Sequence, residues 1–226
     1  MEDKSRTYNK NFFNTSHKYS GKNYKFTLSQ RMYLPIKCLF DIIISFITIC
    51  LLSPLLITVS ILIKATSKGP VVFSQERVGL HGKVIKIYKF RTMVENSPKN
   101  VPTGDLESPH AYITKIGKIL RITSIDEIPQ LFNVFKGEMS LIGPRPLILN
   151  EVKAHEKRLQ NGVYLIRPGI TGLAQVNGRD FLDIEKKVEF DTAYLHSLSL
   201  KMDLYLILKS IIVVFSHSDL SENKKS

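Results

Sequence analysis

Cysteine is scarce: Cys38 and Cys50 are the two in 226 residues, and both fall in or beside one apolar segment. A disulfide framework does not fit that count, and a reducing compartment is the simplest setting. Both thiols read as small packing groups. No secretory signal is legible, because the first thirty or so residues are polar and basic and the apolar run starts too late. No internal repeat is present. Acid is also short, with 20 Asp and Glu against 32 Lys and Arg, a net charge of +12. Such a balance favours anionic partners: nucleic acid, lipid headgroups or phosphorylated substrates. Nucleic acid has the least support, since no base-stacking or helix-turn-helix signature appears. Walker and dinucleotide glycine spacings are missing too.

What is there divides into four stretches. Residues 1–33 form a basic polar tail without period and read as disordered. Residues 34–64 hold the apolar run Leu39 to Ile63, about 25 residues and long enough to cross a hydrocarbon core of roughly 30 Å. Ser53-Pro54 divides it into arms of about 14 and 10 residues, each reaching about half that depth. Lys25, Arg31 and Lys37 precede the run and Lys64, Lys68, Arg77 and Lys83 follow it, so both flanks are basic. A helix–break–helix that enters and leaves by one cytoplasmic face satisfies both flanks, whereas a span wants a bias. The Ser53 hydroxyl can relieve the backbone bond that proline loses. Asp41, costly in lipid, fits a headgroup-level salt bridge. Residues 65–216, which carry the motifs below, read as a cytosolic catalytic domain, and 217–226 as a second polar tail.

The fold expected is mixed α/β (α+β): a re-entrant anchor, a compact cytosolic domain and interfacial helices. Gly69–Ser74 and Lys83–Phe90 read as short strands around a Gly79–Gly82 turn, and Pro98–Pro109 as a surface loop. Helices are expected over Ile113–Ile122, Ile128–Phe135, Glu151–Leu159 and Ile184–His196. Leu204–Phe215 is too short to span and reads as a core or interfacial helix.

Four motifs offer chemistry. Thr123-Ser-Ile-Asp-Glu-Ile-Pro-Gln130 sets Asp126 beside Glu127. Ser124-x-x-Glu127 matches a capping box, so helix capping is one account of the acids. The other is a nucleophile with a neighbouring metal ligand, since magnesium takes one or two carboxylates plus substrate phosphates. Gly143-Pro-Arg-Pro146 fixes its backbone at Pro144 and Pro146 and presets Arg145, whose fork can grip phosphate bidentately; a rigid turn with a solvated arginine is the alternative. Lys89 and Arg91, ending the second strand, would share one strand face and converge on an anion, unless they line a solvated edge. Arg167-Pro-Gly-Ile-Thr-Gly-Leu-Ala-Gln-Val-Asn-Gly-Arg179 brings flexible glycines and the donors Arg167, Gln175 and Arg179.

In this order the motifs closely resemble the bacterial sugar transferase family, small monotopic polyprenol-phosphate phosphoglycosyl transferases. The resemblance runs from about Lys37 to Phe215 and takes in Phe40-Asp41, Ser53-Pro54, Gly69-Pro70, Gln75-Glu-Arg-Val-Gly79, Tyr88-Lys-Phe-Arg-Thr-Met93 and the four motifs above. Asn133-Val-Phe-Lys-Gly-Glu-Met-Ser140, Asp191-x-x-Tyr194 and Ser199-Leu-x-x-Asp203 complete it. By that resemblance Asp126 is the nucleophile that attacks a UDP-sugar and expels UMP, and polyprenol phosphate then takes the sugar phosphate. Glu127 supports Mg²⁺ with Asp126, and Arg145 grips phosphate. Lys89, Arg91, Arg167, Gln175, Arg179 and Asp191 are further candidates around the substrate. The resemblance places the protein on the cytoplasmic leaflet of a bacterial inner membrane, with no nucleic-acid partner, and leaves a homodimer open. Asp180 stands where some members carry asparagine; with the Asn100–Leu106 loop it suggests a capsule-type member using an N-acetylated 6-deoxy sugar. The competing class is a non-catalytic, membrane-anchored basic binding protein.

Overall fold

The structure, a computed structural model, describes residues 24–97, 112–178 and 182–222. Helix α1 spans Leu28–Thr66. It begins ahead of the boundary read at residue 34 because Thr27 and Gln30 form a capping box: Thr27 Oγ1 accepts the Gln30 N–H, and the Gln30 carboxamide accepts the Thr27 N–H. The helix is long and apolar enough to cross a membrane by length and composition. Ser53-Pro54 does not end it, so the two expected arms belong to one helical element. Proline removes the N–H that would reach the Cys50 carbonyl, and Ser53 Oγ donates to that carbonyl instead at 2.8 Å.

Burial along α1 is confined to its ends. Gln30, Lys37, Asp41 and Ser45 are covered in the first half and Val59 and Ile63 in the second. Between them Phe46, Ile47, Leu51 and Ile57 are at least half exposed. Tyr33 and Leu34 pack on a cluster that includes Tyr194, Leu195 and Leu206. Val59 and Ile63 pack with Phe90 and Leu120, each buried apolar side chain contributing about 1.5–3 kcal/mol.

Strands β1 (Val72–Val78) and β2 (Val84–Phe90) form an antiparallel hairpin from Val72↔Phe90 to Val78↔Val84. A 3₁₀ turn at Leu80–Gly82 joins them, within the expected Gly79–Gly82 turn. β1 begins later than read, because Gly69 has φ +107° and Pro70 donates no ladder bond. The expected Pro98–Pro109 loop lies outside the described residues. Helix α2 (Lys115–Ile122) leads into a 3₁₀ helix at Ile125–Gln130 and then α3 (Leu131–Phe135), where a single helix over Ile128–Phe135 was expected. After β3 (Ser140–Ile142) come α4 (Val152–Gln160), a 3₁₀ turn at Val163–Leu165, β4 (Gly169–Thr171), α5 (Leu173–Val176), α6 (Ile184–His196) and α7 (Leu200–Glu222). β3 and β4 pair in parallel, Ser140↔Gly169 and Ile142↔Thr171. That pairing lays the Arg167 segment against the Gly143 loop. The approach requires glycine: a Cβ on Gly169 would sit 2.1 Å from the Gly143 nitrogen.

Candidate active site

Helix α2 stops where Ser124 enters the left-handed region at φ 56°, ψ 15°. The reversal lays the following 3₁₀ helix along β2, with Asp126 and Glu127 in its first turn. Ser124 makes no side-chain capping bond, so the expected capping box is not formed, although both acids do lie in the first turn. Asn133, fully buried, fixes the same arrangement from below. Its Oδ1 accepts the Tyr88 N–H at 3.1 Å and its Nδ2 donates to the Lys86 carbonyl at 2.7 Å, filling the free edge of β2.

Glu127 is committed. Its Oε1 accepts Lys89 Nζ at 2.6 Å and lies 3.5 Å from Arg145 Nη1. Asp126 makes no hydrogen bond or ion pair within 4 Å among the described residues, though Lys89, Arg121 and Arg145 all act on it. Burial pushes its carboxyl up to about 6; Lys89, Arg121 and Arg145 pull it down, while Glu127 pushes it up. Burial also lowers Lys89, against the pull of Glu127. Lys89, Asp126, Glu127 and Arg145, four residues singled out in the sequence, are thus brought together. Arg121 was not singled out; it comes from α2, where its Nε donates to Thr92 Oγ1 at 2.8 Å. Three cations around two acids suit an incoming diphosphate.

The remaining candidates have other surroundings. Arg91 does not converge with Lys89: it is buried and its Nη2 donates to the Ser67 carbonyl (2.9 Å) and hydroxyl (2.7 Å), at the C-terminal end of α1. The strand ends at Phe90, so its side-chain alternation does not extend to Arg91. Asp191 is buried and pairs with Arg158. Arg167 donates to the Gly137 carbonyl at 2.8 Å and lines a cavity with Lys37 and Asp41 on the α1 side. Gln175 is buried on α5 with neither amide atom bonded. Pro144 and Pro146 flank Arg145 as expected, their carbonyls taken by the Gly169 N–H and by Arg77 Nη1. Arg179, Asp180 and the Asn100–Leu106 loop lie outside the described residues.

The model of the bacterial sugar transferase family matches residues 32–217. The chain belongs to the bacterial sugar transferase family. Among its relatives in the family, it is 41% identical over 190 residues to the UDP-glucose:undecaprenyl-phosphate glucose-1-phosphate transferase of Klebsiella pneumoniae, covering 79% of this chain and 40% of that protein. It is 38% identical to the uncharacterised sugar transferase EpsL of Bacillus subtilis, across 78% of this chain and 85% of EpsL. With the UDP-N-acetylgalactosamine-undecaprenyl-phosphate N-acetylgalactosaminephosphotransferase of Aeromonas hydrophila it shares 39% over 198 residues, 84% of this chain and 46% of the relative. It therefore spans less than half the length of two of these sugar transferases and most of the third.

Whether this sugar transferase suits magnesium follows from its donors. No group of three or more His, Cys, Asp and Glu that would cage a metal occurs among the described residues. Two adjacent carboxylates do occur, the number magnesium takes when substrate phosphates and water fill its other positions. The residues fit a metal that arrives with its phosphates.

Proposed function

We propose that the chain is a phosphoglycosyl transferase that moves a sugar-1-phosphate from a UDP-sugar to polyprenol phosphate and releases UMP. The observation that carries this reading is the division of labour in the acidic pair: Glu127 is tied by Lys89 and Arg145, while Asp126 has no bonded partner among the described residues. An Asp126 carboxylate oxygen attacks the sugar-bearing phosphorus. The bond from that phosphorus to the bridging oxygen breaks, and UMP departs with the electron pair. A phosphate oxygen of the acceptor then attacks the same phosphorus and returns the carboxylate. Lys89, Arg121 and Arg145 offset the diphosphate charge. Asp126 and Glu127 would hold Mg²⁺, which when bound offsets further phosphate charge.

Two features support a site at the bilayer surface. Ile119 and Ile122 before the acidic pair, and Phe132 and Phe135 after it, are exposed apolar side chains, as are Leu204, Leu208 and Ile212 on α7. We also read α1 as re-entrant on the cytoplasmic leaflet, with α2 and α7 interfacial. Buried side chains lie on either side of Ser53-Pro54, from Gln30 to Ser45 and at Val59 and Ile63, and none lies between them. Single cysteines at Ser29 and Lys68, in a chain lacking Cys38 and Cys50, should label from the same face of sealed vesicles. Labelling from opposite faces would replace re-entry with a span.

The reaction is tested by nucleotide release from nanodisc protein given Mg²⁺, polyprenol phosphate and a panel of donors. The panel holds UDP-glucose, UDP-galactose, UDP-N-acetylgalactosamine and an N-acetylated 6-deoxy sugar nucleotide. UMP from one donor is expected; UDP would mean cleavage at the glycosidic bond and would overturn the mechanism. The N-acetylated 6-deoxy donor is the expected substrate, and turnover of glucose or galactose donors alone would reject it.

A further inference from the structure

Pro144 and Pro146 carry no N–H, so the loop presenting Arg145 is tethered chiefly through its carbonyls. Five in succession are taken. The Gly169 N–H donates to Pro144 (2.9 Å), Arg158 Nη1 to Arg145 (2.8 Å), Arg77 Nη1 to Pro146 (3.2 Å), the Val78 N–H to Leu147 (3.1 Å) and His155 Nε2 to Ile148 (2.8 Å). Two of these donors, His155 and Arg158, stand one turn apart on α4 and are buried. His155 is held neutral, since burial lowers it to about 4, and its Nδ1 pairs with the Tyr164 hydroxyl.

Arg158 is the charged member of the α4 pair, and its other terminal nitrogen donates to Asp191 on α6. Burial alone would lower the guanidinium, yet Asp191 beside it raises it above its ordinary range. A neutral donor would satisfy the Arg145 carbonyl. The rigid guanidinium does more, because its planar fork joins Asp191 to the peptide plane from which the Arg145 side chain departs.

We propose that Arg158, oriented by Asp191, is a positioning residue that aims Arg145 at the diphosphate. The inference rests on reading Arg145 as a phosphate-gripping group. Its test is a double-mutant cycle in nanodiscs with Arg158→Met, Arg145→Ala and the double variant, beside Arg158→Lys and Asp191→Asn. Arg158→Met should lower kcat/KM for the UDP-sugar about 10- to 100-fold, as a misaimed contact does. In the Arg145→Ala background it should add less than twofold, and Arg158→Lys should restore part of the rate. Amide hydrogen exchange over residues 143–150 should rise in Arg158→Met whatever the turnover. Losses that multiply independently, or unchanged exchange and rate, would overturn the positioning role. If the Met variant does not fold, Arg158→Lys and Asp191→Asn carry the same readouts. If the wild type releases no UMP while exchange still rises, the positioning of the loop stands and the reaction reading falls.

Discussion

Asp126→Asn is expected to reduce UMP release by at least about 10⁴-fold, as removal of a covalent nucleophile does. The amide matches the carboxylate in size but cannot attack phosphorus. No fold defect should accompany the loss, because Asp126 makes no hydrogen bond or ion pair among the described residues. Stability should instead rise. The carboxyl titrates at about 6 in the folded protein against 3.8 ordinarily, chiefly from burial. The folded state thus holds the proton more tightly than the unfolded chain. That advantage is complete below about pH 4 and lost as pH rises through about 6. At neutral pH the buried charge costs up to about 3 kcal/mol, which asparagine avoids. Mass spectrometry of wild-type protein given donor without acceptor should find a sugar-phosphate on the peptide containing Asp126. An adduct at Glu127, or substantial activity in Asp126→Asn, would reassign the nucleophile.

Lys37→Met is expected to destabilise the protein by about 3–5 kcal/mol, the cost of leaving a buried charge unpaired. Lys37 Nζ lies 2.6 Å from Asp203 and 3.6 Å from Asp41. Asp203 also accepts the Tyr33 and Tyr194 hydroxyls, each at 2.6 Å, and Asp41 accepts Ser140 Oγ at 2.6 Å. One ammonium and three hydroxyls therefore hold two buried carboxylates where α1 meets β3, α6 and α7. Without the ammonium two buried acids face each other beside a small cavity. Thermal unfolding in nanodiscs should show a midpoint lower by roughly 10 °C. A fall of less than about 1 °C would mean that the acids are already protonated or reached by water.

Much of the scaffold was legible in the sequence because its signals are local. The length and apolarity of Leu39–Ile63, the alternation ending at Phe90 and the period of Ile184–His196 each need only neighbouring residues to be read. So does the partner of the carbonyl that Pro54 orphans, since Ser53 is adjacent to it. The three-residue strands β3 and β4 were not legible: each is too short to carry a period, and they exist because two distant segments meet at glycines.

The sequence by itself determined the long apolar helix, the adjacency of Asp126 and Glu127 and the stiffness of the Arg145 loop, all properties of short contiguous stretches. Only the tertiary structure decided which charges face the acids. Lys89 reaches Glu127, whereas Arg91 turns to the end of α1 once the strand pleat stops. Asp191 is spent on Arg158, and Arg121, unremarkable in sequence, sits close enough to act on Asp126. A long charged side chain goes where desolvation and available partners leave it the lowest free energy, and those partners come from elements far apart in the chain.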